Sequence, residues 1–114
     1  MELKYLEDKK AIIVSINEEL DHHTCSKIRN KIDSEIDFRL PKKLIFDFGN
    51  VGFMDSSGIG IVIGRYKNMQ SIGGEAMIAN MRPTIKRIFE MSGVNKIVNF
   101  YDKVDDAVKG GILN

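Results

Sequence analysis

The sequence predicts an α/β protein. It reads as a single mixed, mostly parallel sheet of four to five strands packed by about four helices, in the chain order β-β-α-β-α-β-α-β-α. Three observations lead there. Short runs rich in β-branched and aromatic residues alternate with stretches whose apolar residues recur at helical spacing, and that alternation implies parallel pairing through right-handed crossovers. The first two runs are separated only by Asp8-Lys9-Lys10, too short for a crossover, so they read as an antiparallel hairpin and make the sheet mixed. Finally, 114 residues at 43% apolar content, undivided by any repeat, linker or low-complexity segment, supply one core and one domain, residues 1–114.

Leu3 to Glu7 is a short, partly alternating strand. Ala11 to Ile16 is nearly unbroken in apolar character, as expected of a strand covered on both faces. After the polar Asn17-Glu18-Glu19, Asp21 reads as a helix N-cap, with Leu20 before it and Cys25 placed to form a hydrophobic staple. Cys25, Ile28, Ile32 and Ile36 share one face of an amphipathic helix of about three or four turns, which Pro41 ends. Leu44 to Phe48, closed by Gly49-Asn50, is the third strand.

Apolar residues at Ile59, Val62, Ile63, Tyr66 and Met69 mark the central helix, and Ser71-Ile72-Gly73-Gly74 stops it. Glu75 to Ala79 is a fourth strand. Pro83 suits the first turn of a third helix carrying Ile85, Ile88 and Phe89, with Gly93 as its C-terminal cap. Ile97 to Tyr101 reads as a last strand. Asp102 is expected to cap a short helix bearing Val104, Ala107 and Val108, ended by Gly110-Gly111; Ile112-Leu113-Asn114 has no assigned element.

Charge gives little direction. Seventeen basic residues stand against 16 acidic ones, so electrostatics give no reason to expect nucleic acid or an anionic membrane as partner. No apolar run reaches the length of a membrane span, no signal peptide is visible, and the single Cys25 has no internal disulfide partner. A soluble protein of a reducing cytoplasm is expected.

In sheets of this kind, sites collect where strands end and helices begin. Two such turns are rich in polar groups, Leu20-Asp21-His22-His23-Thr24 and Asp55-Ser56-Ser57-Gly58, and parallel pairing can bring them to one end of the sheet. A serine at the second turn can cap backbone N–H groups, and it also sits where a helix dipole receives a phosphate well. Capping alone needs one serine, whereas two follow an acidic residue here. Gly60 and Gly64 occupy helix positions although each glycine costs about 1 kcal/mol relative to alanine. Ile61 falls outside the Ile59–Val62–Ile63–Tyr66 stripe. Together these suggest that another surface approaches this flank; the structural alternative is that the glycines admit a neighbouring helix of the same chain. The residues alone leave the choice between Ser56 and Ser57 open.

The string Phe53-Met54-Asp55-Ser56-Ser57-Gly58-Ile59-Gly60, followed by Gly64-Arg65-Tyr66-Lys67, resembles the signature of the bacterial anti-sigma-factor antagonists, whose domain is shared with sulfate transporters as the STAS fold. The likeness extends to Leu20-Asp21-His22-His23-Thr24, to Lys86 through Gly93, and to the element order; it is strongest to the sporulation branch, the antagonists of the anti-sigma F factor. The resemblance implies a regulator without catalytic activity or cofactor of its own. In its unphosphorylated form such a protein binds an anti-sigma factor that is also a serine kinase, and the sigma factor is released. The kinase uses ATP to phosphorylate the second serine, Ser57 here; the phosphorylated form lets go, and a metal-dependent serine phosphatase of the PP2C type restores it. The partner surface expected from the motif and its flank comprises Asp21, Asp55, Ser56, Ser57, Gly58, Gly60, Ile61 and Gly64, with Ser56 capping or supporting and the free protein a monomer.

Other readings are weaker. Asp21-His22-His23 is similar to the Asp-His-His metal motif of a phosphoesterase family, but the chain has no further histidine, and only Asp47 and Asp55 could add ligands. A serine hydrolase needs a Gly-x-Ser-x-Gly elbow, which is absent, and His22 or His23 would have to reach Ser57. A nucleotide-binding module lacks a P-loop. An antagonist serving a general stress-response sigma factor would use the same motif.

Overall fold

The computed structural model describes residues 1–110. Strands β1 (Glu2–Leu6) and β2 (Ala11–Ser15) form the antiparallel hairpin, with Leu3 opposite Val14. Helix α1 (His22–Arg39) leads to β3 (Lys43–Asp47), helix α2 (Ser56–Ser71) to β4 (Glu75–Ala79), and helix α3 (Pro83–Ser92), with a 3₁₀ turn at Val94–Lys96, to β5 (Asn99–Tyr101). The short α4 (Val104–Lys109) follows. The five strands lie in chain order, β1-β2-β3-β4-β5, and every pair after the first is parallel. The expected mixed sheet and element order are therefore present.

Each crossover returns to the next strand along, so right-handedness puts α1, α2 and α3 on one face. There Ile12, Val14, Leu44, Phe46, Ala76 and Ile78 meet Ile28, Ile32, Ile36, Val62, Met69, Ile85 and Phe89 in the main core. The alternate residues Ala11, Ile45, Met77 and Ala79 form a smaller cluster closed by Ala107 of α4. That second cover accounts for the unbroken apolar run of β2.

Three boundaries differ from the sequence reading. Helix α1 runs for 18 residues, longer than the expected three or four turns, and ends when Leu40 turns left-handed at φ 48°. The last strand keeps only Asn99–Tyr101, because Gly93 at φ 84° starts a 3₁₀ turn that Ile97 closes. Asp102 does not cap α4: Lys103 occupies that position without a side-chain bond, and the N-terminal acids Asp105 and Asp106 lie inside the first turn, where they favour the helix dipole. The expected stop at Gly110-Gly111 is met at Gly110; Gly111 and the Ile112-Leu113-Asn114 tail lie outside the described residues. No helix among the described residues is long and apolar enough to cross a membrane.

Candidate functional site

The two polar turns meet at the carboxyl end of neighbouring parallel strands. Leu20 and Met54 form an isolated parallel bridge. Across it the Leu20 N–H donates to the Phe53 carbonyl at 3.4 Å, and the Asp55 N–H donates to the Leu20 carbonyl at 3.0 Å. Both Leu20 and Met54 are buried. This miniature extension of the sheet sets the starts of α1 and α2 side by side.

Each helix start has an aspartate cap. Asp21 Oδ1 accepts from the N–H groups of His23 at 2.9 Å and Thr24 at 3.0 Å, and Thr24 Oγ1 in return accepts from the Asp21 N–H at 3.4 Å, completing a capping box. The Thr24 backbone bond, opposed by desolvation, holds the Asp21 carboxyl below its ordinary value. At α2, Asp55 Oδ1 accepts from the Ser57 N–H at 2.7 Å, and the Asp55 carbonyl accepts from the Gly58 N–H at 3.0 Å. The cap is thus Asp55 and not a serine. Ser56 does not cap either: it is the first helical residue and exposed. No side-chain hydrogen bond among the described residues involves the hydroxyl of Ser56 or Ser57. Asp55 also corrects the picture of a vacant phosphate seat, since the Ser57 N–H is already engaged. A phosphate there would meet a favourable dipole and an adjacent carboxylate together.

The face of α2 divides differently from its sequence spacing. Gly58, Ile61, Val62, Arg65 and Met69 are buried, while Ile59, Ile63 and Tyr66 are half-buried beside them. Ile61, expected on the outer flank, is fully buried and presents nothing to a partner. Gly58 is also inside: a Cβ there would lie 2.7 Å from Met54 Sδ and 3.3 Å from Leu20 Cδ1, so this glycine allows α2 to sit on the bridge. Gly60 and Gly64 differ. A Cβ at either meets nothing within 4 Å, which removes the alternative that they admit a helix of the same chain. Of the eight expected surface residues, Asp21, Asp55, Ser56, Ser57, Gly60 and Gly64 remain at or near the surface.

Two features escaped the sequence reading. Phe53 is 55% exposed beside the caps; strand-like alternation with the buried Met54 was the signal available. The other is an ion pair between helices. Arg65 Nε lies 2.8 Å from Asp33 Oδ1, which also accepts from Asn68 Nδ2 at 2.8 Å, while Arg65 Nη1 donates to the Ile61 carbonyl at 3.3 Å. Burial lowers the guanidinium pKa and Asp33 opposes the lowering. The pair joins α1 to α2 behind their adjacent starts. Cys25 is buried beneath the caps; burial and then the Asp55 charge push its thiol pKa up.

The neighbouring turn is closed on itself. Asp47 accepts from the Gly49 N–H at 2.9 Å and Asn80 Nδ2 at 3.1 Å, and Arg82 Nε donates to the Gly49 carbonyl at 3.1 Å. A Cβ on Gly49 would fall 2.2 Å from Asn80 Nδ2, so a larger residue there would have to displace the Asn80 side chain from Asp47. His22 and His23 are exposed, and neither is hydrogen-bonded to Ser57 among the described side-chain contacts. Among the described residues no three His, Cys, Asp or Glu side chains gather as a metal site would require.

Comparison with known proteins fits this architecture. The family model of the STAS domain matches residues 3–107. The anti-sigma F factor antagonist of Paenibacillus polymyxa is 38% identical over 97 residues, 85% of this chain and 83% of that protein. The anti-sigma F factor antagonist of Lysinibacillus sphaericus is 33% identical over 86 residues, 75% of this chain and 74% of that one. Among solved structures, the anti-sigma factor antagonist SpoIIAA in its unphosphorylated form superposes with a TM-score of 0.82 at 30% identity, covering 99% of this chain and 98% of that one. Its phosphorylated form from Bacillus gives 0.73 at 29%, over 95% and 96%. With the bridged helix starts and the Asp-Ser-Ser turn in the same fold, the chain belongs to the STAS domain family, among its anti-sigma factor antagonists.

Proposed function

We propose that this protein is a phosphorylation-controlled antagonist in a sigma-factor switch, with Ser57 as the modified residue. Unphosphorylated, it binds an anti-sigma factor that is also a serine kinase and so frees the sigma factor. The kinase transfers the γ-phosphoryl group of ATP to Ser57 Oγ, which loses its proton, and ADP is the product. The phosphorylated protein dissociates, and a PP2C-like serine phosphatase hydrolyses the ester to return the hydroxyl. The protein is a substrate in both steps and needs no cofactor itself.

The observation that carries this reading is a hydroxyl without a structural task. Asp55 does the capping, so Ser57 Oγ stays at the start of α2, next to a second capped helix start and to a flank where Gly60 and Gly64 leave the backbone open. Asp21, Asp55, Ser56, Ser57, Gly60 and Gly64 form the proposed contact surface. SpoIIAA is known in unphosphorylated and phosphorylated forms, at 30% and 29% identity to this chain, which supports the same chemistry here.

Magnitudes allow a local mechanism. Phosphorylation adds roughly −1.5 to −2 charges at neutral pH. Burying an uncompensated charge in an interface costs on the order of 3–5 kcal/mol, against about 5.5 kcal/mol for a swing from 1:99 to 99:1. The burial cost approaches that full swing and already weakens binding by about a hundredfold or more, so blockade of the contact can release the partner without refolding of the domain.

The partner favoured is the anti-sigma F type, and with it a role in sporulation-specific transcription. Identity to the anti-sigma F factor antagonists is 38% and 33%, against 25% to the anti-sigma-B factor antagonist of Bacillus subtilis. The test is to incubate the protein with an anti-sigma F kinase and ATP and to locate the phosphate by mass spectrometry. One phosphate on Ser57 is expected, and none on Ser57→Ala. Full-rate phosphorylation of Ser57→Ala would assign the switch to another residue.

A further inference from the structure

We infer that Phe53 is the apolar anchor of the partner contact, a side chain that inserts into an apolar pocket of the anti-sigma factor. The inference rests on the proposed function and names the part of that surface that carries most of its affinity. Six large hydrophobic side chains among the described residues are exposed: Phe38, Leu40, Phe53, Ile72, Met91 and Ile97. Five of them sit at the far end of the sheet from the bridged turns. Phe38 and Leu40 are at the end of α1, Ile72 at the end of α2, Met91 at the end of α3, and Ile97 just before β5. Phe53 alone of the six lies at the carboxyl end of the parallel strands, two residues from the Asp55 cap.

Its exposure follows from the backbone. Met54 pairs with Leu20 and points into the core, at 3% exposure. Side chains alternate along an extended segment, so Phe53 must point the other way, and it is 55% exposed. Two hydrogen bonds fix the segment just after the ring: the Phe53 carbonyl accepts from the Leu20 N–H, and the Asp55 N–H donates to the Leu20 carbonyl. The ring is thus held out by the same bridge that joins the two helix starts. A preorganised aromatic side chain loses little freedom on binding, and such residues dominate interface energetics when they fill a desolvated pocket. Neighbouring Ser56 is exposed and small and leaves room for a pocket rim to close on that side of the ring, while the Arg82 guanidinium stands beside Gly52 on the other. The position also couples anchor to switch. A pocket seated on Phe53 must cover the start of α2, where a phosphate on Ser57 would be trapped without water.

The test measures the affinity of full-length wild type, Phe53→Ala and Phe53→Leu for an anti-sigma F factor kinase by calorimetry, with melting temperatures alongside. Phe53→Ala is expected to bind about thirtyfold or more weakly, to melt with wild type, and to be largely rescued in Phe53→Leu. Wild-type binding with Phe53→Ala within about threefold would overturn the anchor and leave the proposed function standing. Failure of wild type to bind would overturn both. Concentration-dependent dimerisation of wild type that Phe53→Ala abolishes, seen by sedimentation, would show that a second copy occupies the anchor and would overturn its assignment to the anti-sigma factor.

Discussion

Ser57 and its neighbours show how a proposed modification site differs from a cap in physical terms. Asp55 satisfies the helix start, and the serine hydroxyl is left over. Ser57→Ala should therefore fold with wild-type stability, bind the anti-sigma factor and resist release by ATP; Ser57→Asp should fold equally and bind poorly. The glycines make a sharper case, because folding and binding should respond in opposite directions. A methyl group at Gly60 or Gly64 meets nothing, so each change to alanine should stabilise the free protein by up to about 1 kcal/mol in urea denaturation, yet weaken the partner complex. Equal or tighter binding by the alanine variants would remove this flank from the interface. The motif Asp55-Ser56-Ser57 was legible as a helix start with surplus hydroxyl groups. The sequence could not assign the cap, because aspartate and serine compete for one N–H and only geometry decides. Ile61 was misjudged for a related reason. With glycines at 58, 60 and 64, the apolar stripe of α2 is broad, and a spacing argument cannot tell which edge of it turns inward.

At the scale of the element, α1 and α2 act as a pair. Their starts are joined by the Leu20–Met54 bridge and their bodies by Asp33, Arg65 and Asn68. The side chain of Arg65 is 9% exposed and that of Asp33 36%. Asp33→Ala, which leaves a buried guanidinium without its partner, should thus destabilise more than Arg65→Met, which leaves a carboxylate that water can reach. The Arg65→Met loss should stay below the about 3–5 kcal/mol of a fully buried pair. The reverse order in urea denaturation would contradict the pairing. Asp21 gives a pH signature. Its folded pKa lies below its unfolded value, so its contribution is complete above the unfolded value and is lost as pH falls through the depressed one. Asp21→Asn should flatten that acid limb of the stability profile, losing stability at neutral pH and converging with wild type at low pH. The helix caps at Asp21 and Gly93 were readable from residue type alone, whereas the Arg65 pair was not, because it joins positions 32 residues apart in the sequence (33 and 65).

For the whole molecule, alternation of runs and helical spacing was enough to give element order and a mixed sheet, because each strand pairs with its sequence neighbour. The far face was less legible. Helix α4 is only six residues long, and its placement depends on Ala107 closing the Ala11, Ile45, Met77 and Ala79 cluster, and on Lys43 Nζ donating to the carbonyls of Val108, at 2.6 Å, and Gly110. None of those long-range contacts has a local sequence signal. The proposed switch lies at the end of a sheet packed on both faces, where a local charge has no loose element to move. Phosphorylation should therefore leave the backbone superposable and act at the interface. The central claim is tested most directly by titrating the anti-sigma factor with the protein before and after stoichiometric phosphorylation of Ser57. A loss of roughly a hundredfold or more in affinity, with amide chemical shifts of the free protein changed only around the two bridged turns, is expected from the 3–5 kcal/mol burial cost. Equal affinity of the two forms, or shifts spread through the sheet, would contradict it.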